Sequence, residues 1–125
     1  MKQAIKTDSA PVATGPFSQA ILVDKMIYVG GQIYLKPDGT LLEGDIEGKT
    51  HQVMQNLKAI LDAAGANFSH VVKTTIYVTD MKNYPKVSEV YGGYLSAPYP
   101  ARETVCVKEL PLGAEVEISM IAILS

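Results

Sequence analysis

The stretch that most narrows what this chain can fold into is AEVEISMIAIL, residues 114 to 124. Val116, Ile118, Met120, Ala122 and Leu124 alternate there against Glu115, Glu117, Ser119, Ile121 and Ile123. A period of two is that of a β-strand, in which neighbouring side chains point to opposite faces. Both faces of this strand carry apolar residues, the second at its C-terminal end. The rest of the chain offers two amphipathic helices, and helices laid on a sheet cover only one face. The second face therefore needs another cover, most simply a further copy of the chain. The competing arrangement is a sheet curled on itself, with Ile121 and Ile123 buried inside.

The other elements follow from period and punctuation. AILV and MIYV, within residues 20 to 34, read as two strands of a hairpin with a tight Asp24-Lys25 turn, ended by Gly30-Gly31. Lys36-Pro37-Asp38-Gly39 is a turn, because proline presets φ and glycine accepts positive φ. From Asp45 the period changes. Ile46, Val53, Met54, Leu57, Ile60, Leu61 and Ala64 share one side of a helix, with Asp45 as its N-cap and Gly65 just past its end. VVKTTIYV, residues 71 to 78, is β-branched and short enough for a central strand. A second helix is predicted from about Tyr84 to Leu95, where Val87, Val90, Tyr91 and Tyr94 recur at helical spacing, and Ser96 to Pro100 ends it. RETVCV, residues 102 to 107, and the last strand complete the order ββ-α-β-α-ββ. Short connections, no repeat and no linker predict one α+β domain over residues 1 to 125.

Composition removes several classes of function. A chain of 125 residues buries about two-thirds of its unfolded surface and needs no staples to fold. Its 11 basic and 13 acidic residues give a net charge of −2 without a basic cluster, so nucleic acid is not an expected partner. No apolar run approaches the roughly 20 residues of a membrane helix, so no membrane partner is expected either. The single cysteine, Cys106, excludes an internal disulfide, and MKQAIKTDSAP lacks the apolar run of a signal peptide. A cytoplasmic protein is expected, for which the sequon Asn67-Phe68-Ser69 has no consequence.

Chemistry concentrates in the last two strands. Arg102, Thr104 and Cys106 share one side of their strand, and Glu115, Glu117 and Ser119 share one side of theirs. If the two strands pair as an antiparallel hairpin across Lys108 to Gly113, one register sets Arg102 opposite Glu117 on a common face. Arg102 would then hold a substrate carboxylate bidentately, and Glu117 would hold and polarise a water. The alternative is a structural ion pair in which the two neutralise each other. Elsewhere the chain is less informative. Gly44 to Thr50 has three residues between its glycines where a phosphate loop has four, and Asp45 and Glu47 would repel phosphate. His51 and His70 lack neighbours at metal-ligand spacing, so no metal site is expected. Cys106 has no histidine in a recognisable relation to it and reads as a small core residue. The seven tyrosines are spread through the chain and read as packing or pocket-rim residues.

PVATGPFSQA at 11 to 20, GGQI at 30 to 33, QNLKAILDAAG at 55 to 65, VVKTTIYVTDM at 71 to 81, PARETVCV and LPLGAEVEI resemble, in order and spacing, the reactive intermediate deaminase family, RidA or YjgF-like. The resemblance covers nearly the whole chain. It implies a chorismate-mutase-like (bacillus type) α+β fold, with a mixed, mainly antiparallel sheet and two helices on one face. It also implies a homotrimer with sites in the clefts between subunits. The implied reaction is hydrolysis of 2-imino acids, such as 2-iminobutanoate and 2-iminopropanoate, to the 2-keto acid and ammonia without a cofactor. By motif, Arg102 would grip the substrate carboxylate and Glu117 would position water. The backbone of Thr104 would also meet the carboxylate, and Gly31 lies in the loop that closes the pocket from the neighbouring chain.

Phe17, at the pocket, stands where many members carry tyrosine, Gly30 where serine is frequent and Ser88 where asparagine is common. Thr104 fills a position where relatives carry cysteine. Two hydroxyls fewer at the pocket would slow turnover, since a lost transition-state hydrogen bond costs about 10²-fold or more. A second function class therefore stands beside the deaminase: an oligomeric module that binds keto acids or similar metabolites without turnover.

Overall fold

The computed structural model describes residues 1–125. Eight elements run in the order β1 (Lys2–Ile5), β2 (Ala20–Val23), β3 (Met26–Gln32), α1 (Ile46–Ala63), β4 (Val71–Val78), α2 (Tyr84–Gly92), β5 (Ala101–Cys106) and β6 (Val116–Ile123). The β2–β3 hairpin turns at Asp24 and Lys25 as expected, with Asp24 at φ 52°, a conformation aspartate tolerates in tight turns. α1 starts at Asp45, whose carboxylate accepts from the Gly48 N–H at 2.8 Å, and the chain leaves it through Gly65 at φ +80°. α2 is shorter than its periodicity suggests and stops at Gly92. β1, four residues with little apolar patterning, went unread in the sequence and forms an outer strand.

One six-stranded sheet has the order β1-β2-β3-β6-β4-β5, antiparallel throughout except for the parallel pair β4–β5. α2 is the crossover that parallel neighbours require. The expected β5–β6 hairpin does not form. β4 lies between the two strands, pairing β5 from Lys73↔Ala101 to Val78↔Cys106 and β6 on its other edge. Because β5 returns parallel to β4, the segment after it has to cross the end of β4 before β6 can enter the sheet. Alternation assigns faces within a strand but not partners, so a loop of this length suited either pairing.

β6, between β3 and β4, is central. Its Val116, Ile118, Met120 and Ala122 pack with Ile27, Val29, Ile76 and Val78 against the Val53, Leu57, Ile60 and Leu61 side of α1 and against Val87 of α2. Both helices sit on this face. Two buried amides fix the loops that matter for the site. Gln19 accepts from the Thr7 N–H at 2.7 Å and donates to the Thr7 and Pro11 carbonyls, tying down the loop that carries Phe17. Asn56 donates from α1 to the carbonyls of Ile33 and Leu35, anchoring the segment after β3. The opposite face of the sheet is uncovered: Tyr28 is 46% exposed, Ile123 41% and Val105 42%. The sheet does not curl to bury Ile123.

Candidate functional site

Tyr84, Ser88 and Tyr91 fall at i, i+4 and i+7 of α2 and so share one side of the helix, facing β5. Arg102, paired with the buried Thr74 across the β4–β5 ladder, enters between them. Its Nη1 donates to Ser88 Oγ at 3.1 Å and its Nη2 donates to Tyr84 Oη at 2.5 Å. The guanidinium carbon lies 5.5 Å from the Tyr84 ring centroid and 5.4 Å from that of Tyr91, within cation–π range. Burial raises the Tyr91 phenol above its ordinary value, partly offset by its bond to Thr74 and by Arg102, so it remains a neutral donor to Thr74 Oγ1 at 2.9 Å. A partly buried guanidinium normally finds a carboxylate, because removing an unpaired charge from water is costly. Arg102 has none within ion-pairing distance, and its two hydrogen bonds leave three of the five N–H donors of a guanidinium unused. Two residues along the same face, Thr104 Oγ1 is buried without a hydrogen-bond partner in the chain, an uncommon state for a hydroxyl.

Glu117 stands on the other face of the sheet, opposite Tyr77 of β4. Its carboxylate lies against Gly31, where a Cβ would overlap Glu117 Oε2. Glycine at 31 is therefore what lets the carboxylate lie there. Glu117 opens into a cavity of about 500 Å³ walled by Val12, Phe17, Gly31, Pro111 and Leu112. Burial among these mostly apolar walls raises its pKa above the ordinary glutamate value, since no donor or cation in the chain stabilises the anion. Phe17, 63% exposed, forms part of the rim.

The sequence-predicted residues thus divide into two groups. Arg102 and Thr104 stand on the helix-covered face; Phe17, Gly31 and Glu117 gather at the cavity on the other. The expectation that Arg102 and Glu117 are neighbours in one chain is corrected. Thr74 and Tyr77, their partners on β4, are three residues apart and so face opposite ways. Two strand spacings across and three residues along the sheet put roughly 14 Å between the two backbones. The structural ion pair fails for the same reason. Tyr84 and Tyr91, which the sequence marks as packing or pocket-rim residues, share one helix side with Ser88 and meet Arg102. Cys106 is exposed rather than in the core. No group of three His, Cys, Asp or Glu side chains could hold a metal ion.

A family model described as Endoribonuclease L-PSP matches residues 7–124. The chain belongs to this family, the RidA or YjgF-like proteins its motifs resemble. It is 48% identical to "Protein DfrA" of Myxococcus xanthus, covering 98% of this chain and 95% of that protein. It is 43% identical to the 2-iminobutanoate/2-iminopropanoate deaminase of Mus musculus, over 98% of this chain and 92% of the relative. Other relatives carry the RutC family name. The crystal structure of E. coli TdcF with bound serine superposes with a TM-score of 0.92 at 32% identity, over 98% and 99% of the two chains. These RidA-like matches share the α+β fold described above, and residues of both groups, Phe17 to Glu117, lie inside the matched span.

Proposed function

We propose that this protein hydrolyses reactive 2-imino acids, such as 2-iminobutanoate and 2-iminopropanoate, to 2-keto acids and ammonia, at sites formed between copies of the chain. The observation that carries this reading is Arg102: a partly buried arginine with two of its donors held and two aromatic rings within cation–π range, and no anion beside it. Such a group suits the planar carboxylate of a small substrate. The unpartnered hydroxyl of Thr104 and its adjacent backbone would complete the grip. The deaminase name of the mouse relative supports the reaction, and the serine bound to TdcF supports an amino-acid-sized ligand.

Glu117 takes the proton of a water whose oxygen adds to the C=N carbon. It returns that proton to nitrogen, giving a carbinolamine; the carbinolamine hydroxyl then gives up its proton, which Glu117 passes to nitrogen as the C=O bond forms, the C–N bond breaks and ammonia leaves the 2-keto acid. A pKa raised by burial brings this carboxylate closer to the neutral range in which a proton shuttle works in both directions. The imine is already electrophilic, so orientation and a modest electrostatic push suffice, and no cofactor is invoked.

Since one chain holds Arg102 and Glu117 on opposite faces, a single substrate touching both must lie between two chains. The uncovered face with Tyr28, Val105 and Ile123 supplies apolar surface for that assembly. We read it as a homotrimer of single-domain chains, residues 1 to 125, in a reducing cytoplasm that suits the free thiol of Cys106. Sedimentation as a 13.5 kDa monomer at micromolar concentration would remove this part of the reading.

A second reading is favoured by Phe17, whose ring brings no hydroxyl to the cavity rim: binding of keto acids without turnover. The test is keto acid release from 2-iminobutanoate generated in place by an amino acid oxidase. Acceleration by the wild type, lost in Arg102→Ala, is expected. Keto acid binding with no acceleration across several imino acids would favour the second reading.

A further inference from the structure

We infer that Tyr84 is a positioning residue, its phenolic oxygen fixing the Arg102 guanidinium in the orientation that receives a substrate carboxylate. This rests on the reading of Arg102 as carboxylate anchor and assigns the group that makes the anchor rigid.

An arginine at a strand edge has several rotatable bonds and, with nothing to hold it, would extend into water. One hydrogen bond would fix a point but leave the guanidinium plane free to turn. Here each Nη has its own oxygen, Ser88 Oγ and Tyr84 Oη, so the plane is set, and the rings of Tyr84 and Tyr91 lie within cation–π range of it. Of the two oxygens, that of Tyr84 is the closer, 2.5 Å against 3.1 Å. Its position is itself well determined. Asp80 caps the turn before α2 by accepting from the Lys82 N–H, Tyr84 opens the helix, and Pro85 fixes the next φ. The phenol thus comes from a rigid element, which is what a precise binding group requires.

The kinetic consequence is specific. A carboxylate that takes no part in bond changes is held equally in ground and transition states, so loosening its anchor raises KM and leaves kcat nearly unchanged. Tyr84→Phe keeps the ring and removes the oxygen. In the full-length protein it is expected to raise KM for 2-iminobutanoate, and Kd for the product 2-ketobutanoate measured by calorimetry, about tenfold, with kcat within about twofold. Adding Ser88→Asn, whose amide oxygen reaches one bond further from the helix, is expected to recover most of the loss. A purely structural role for Tyr84 would not be rescued in this way.

Unchanged KM and Kd in Tyr84→Phe would overturn the inference, as would a fall in kcat at constant KM, which would place the phenol at the reacting atoms. If wild type and Arg102→Ala bind 2-ketobutanoate equally, the anchor itself is wrong and the inference falls with it. If the wild type binds 2-ketobutanoate but does not accelerate hydrolysis, the deaminase reading fails alone and the Tyr84 effect is still read in Kd.

Discussion

The two faces of the sheet treat a charged side chain in opposite ways. On the helix-covered face Arg102 is cradled by two hydroxyl oxygens and two aromatic rings but lacks an anion. On the bare face Glu117 has neither a hydrogen-bond donor nor a cation, only a cavity and a glycine that makes room for it, and burial raises its pKa. The arginine is prepared for a partner; the glutamate is kept reactive by lacking one. Either arrangement is a cost to a protein that only has to fold. Together they fit the proposed site, in which one end grips a carboxylate and the other moves a proton; since the sheet separates them within one chain, the proposal draws the two ends of any one site from different chains.

Arg102→Ala should have the largest effect. Loss of a partly buried, charge-assisted grip is expected to lower kcat/KM by about 10²- to 10³-fold, chiefly through KM, in the keto acid release assay. A variant with intact KM would mean that the cradle serves only α2 packing. Glu117→Gln removes the proton shuttle and should lower kcat by about 10²-fold at neutral pH while leaving KM nearly unchanged.

How these residues could and could not be read in the sequence follows the same division. Periodicity located both helices and every strand except β1, because these segments bury one regular face against the core. It also singled out Arg102 and Glu117 as chemically notable, since an arginine and a glutamate in apolar strands are conspicuous. It misjudged their relation, because strand order is settled by the α2 crossover and by which edge of β4 each strand finds, and neither leaves a local pattern. Tyr84 was hidden for another reason: a tyrosine in an amphipathic helix looks the same whether its hydroxyl faces water or an arginine. Gly31 reads as a strand terminator in sequence, yet the strand runs through it to Gln32, and the close approach of Glu117 is what requires it.

Gly31→Ala sharpens the contrast from the bare face. The added Cβ displaces the Glu117 carboxylate, so kcat should fall at least about tenfold with little change in KM. An unaffected kcat would show that the resting place of Glu117 against Gly31 is not the active one.

The smallest effect concerns stability. Because burial raises the folded pKa of Glu117 above its unfolded value near 4.5, the folded state binds the proton more tightly. Stability therefore falls as pH rises from 4.5 through the raised folded value, and the cost is fully present above that window. Glu117→Gln should melt at the same or a slightly higher temperature than wild type at pH 7, and its Tm should vary less across the window. A clear loss of Tm would mean that the carboxylate serves the fold. In the wild type the acid limb of kcat/KM should lie above pH 4.5, since the shuttle must be ionised to accept a proton.

The central claim is that one site draws its arginine and its glutamate from different chains, and subunit mixing tests it most directly. Arg102→Ala and Glu117→Gln chains, each nearly inactive alone at substrate concentrations below the wild-type KM, are unfolded together, refolded and assayed under those conditions. Random mixing should restore about a quarter of wild-type activity, because one interface in four then pairs an intact Arg102 with an intact Glu117 from the neighbour. Mixed oligomers with no more activity than the separate variants would place both residues of each working site in one chain and contradict the account.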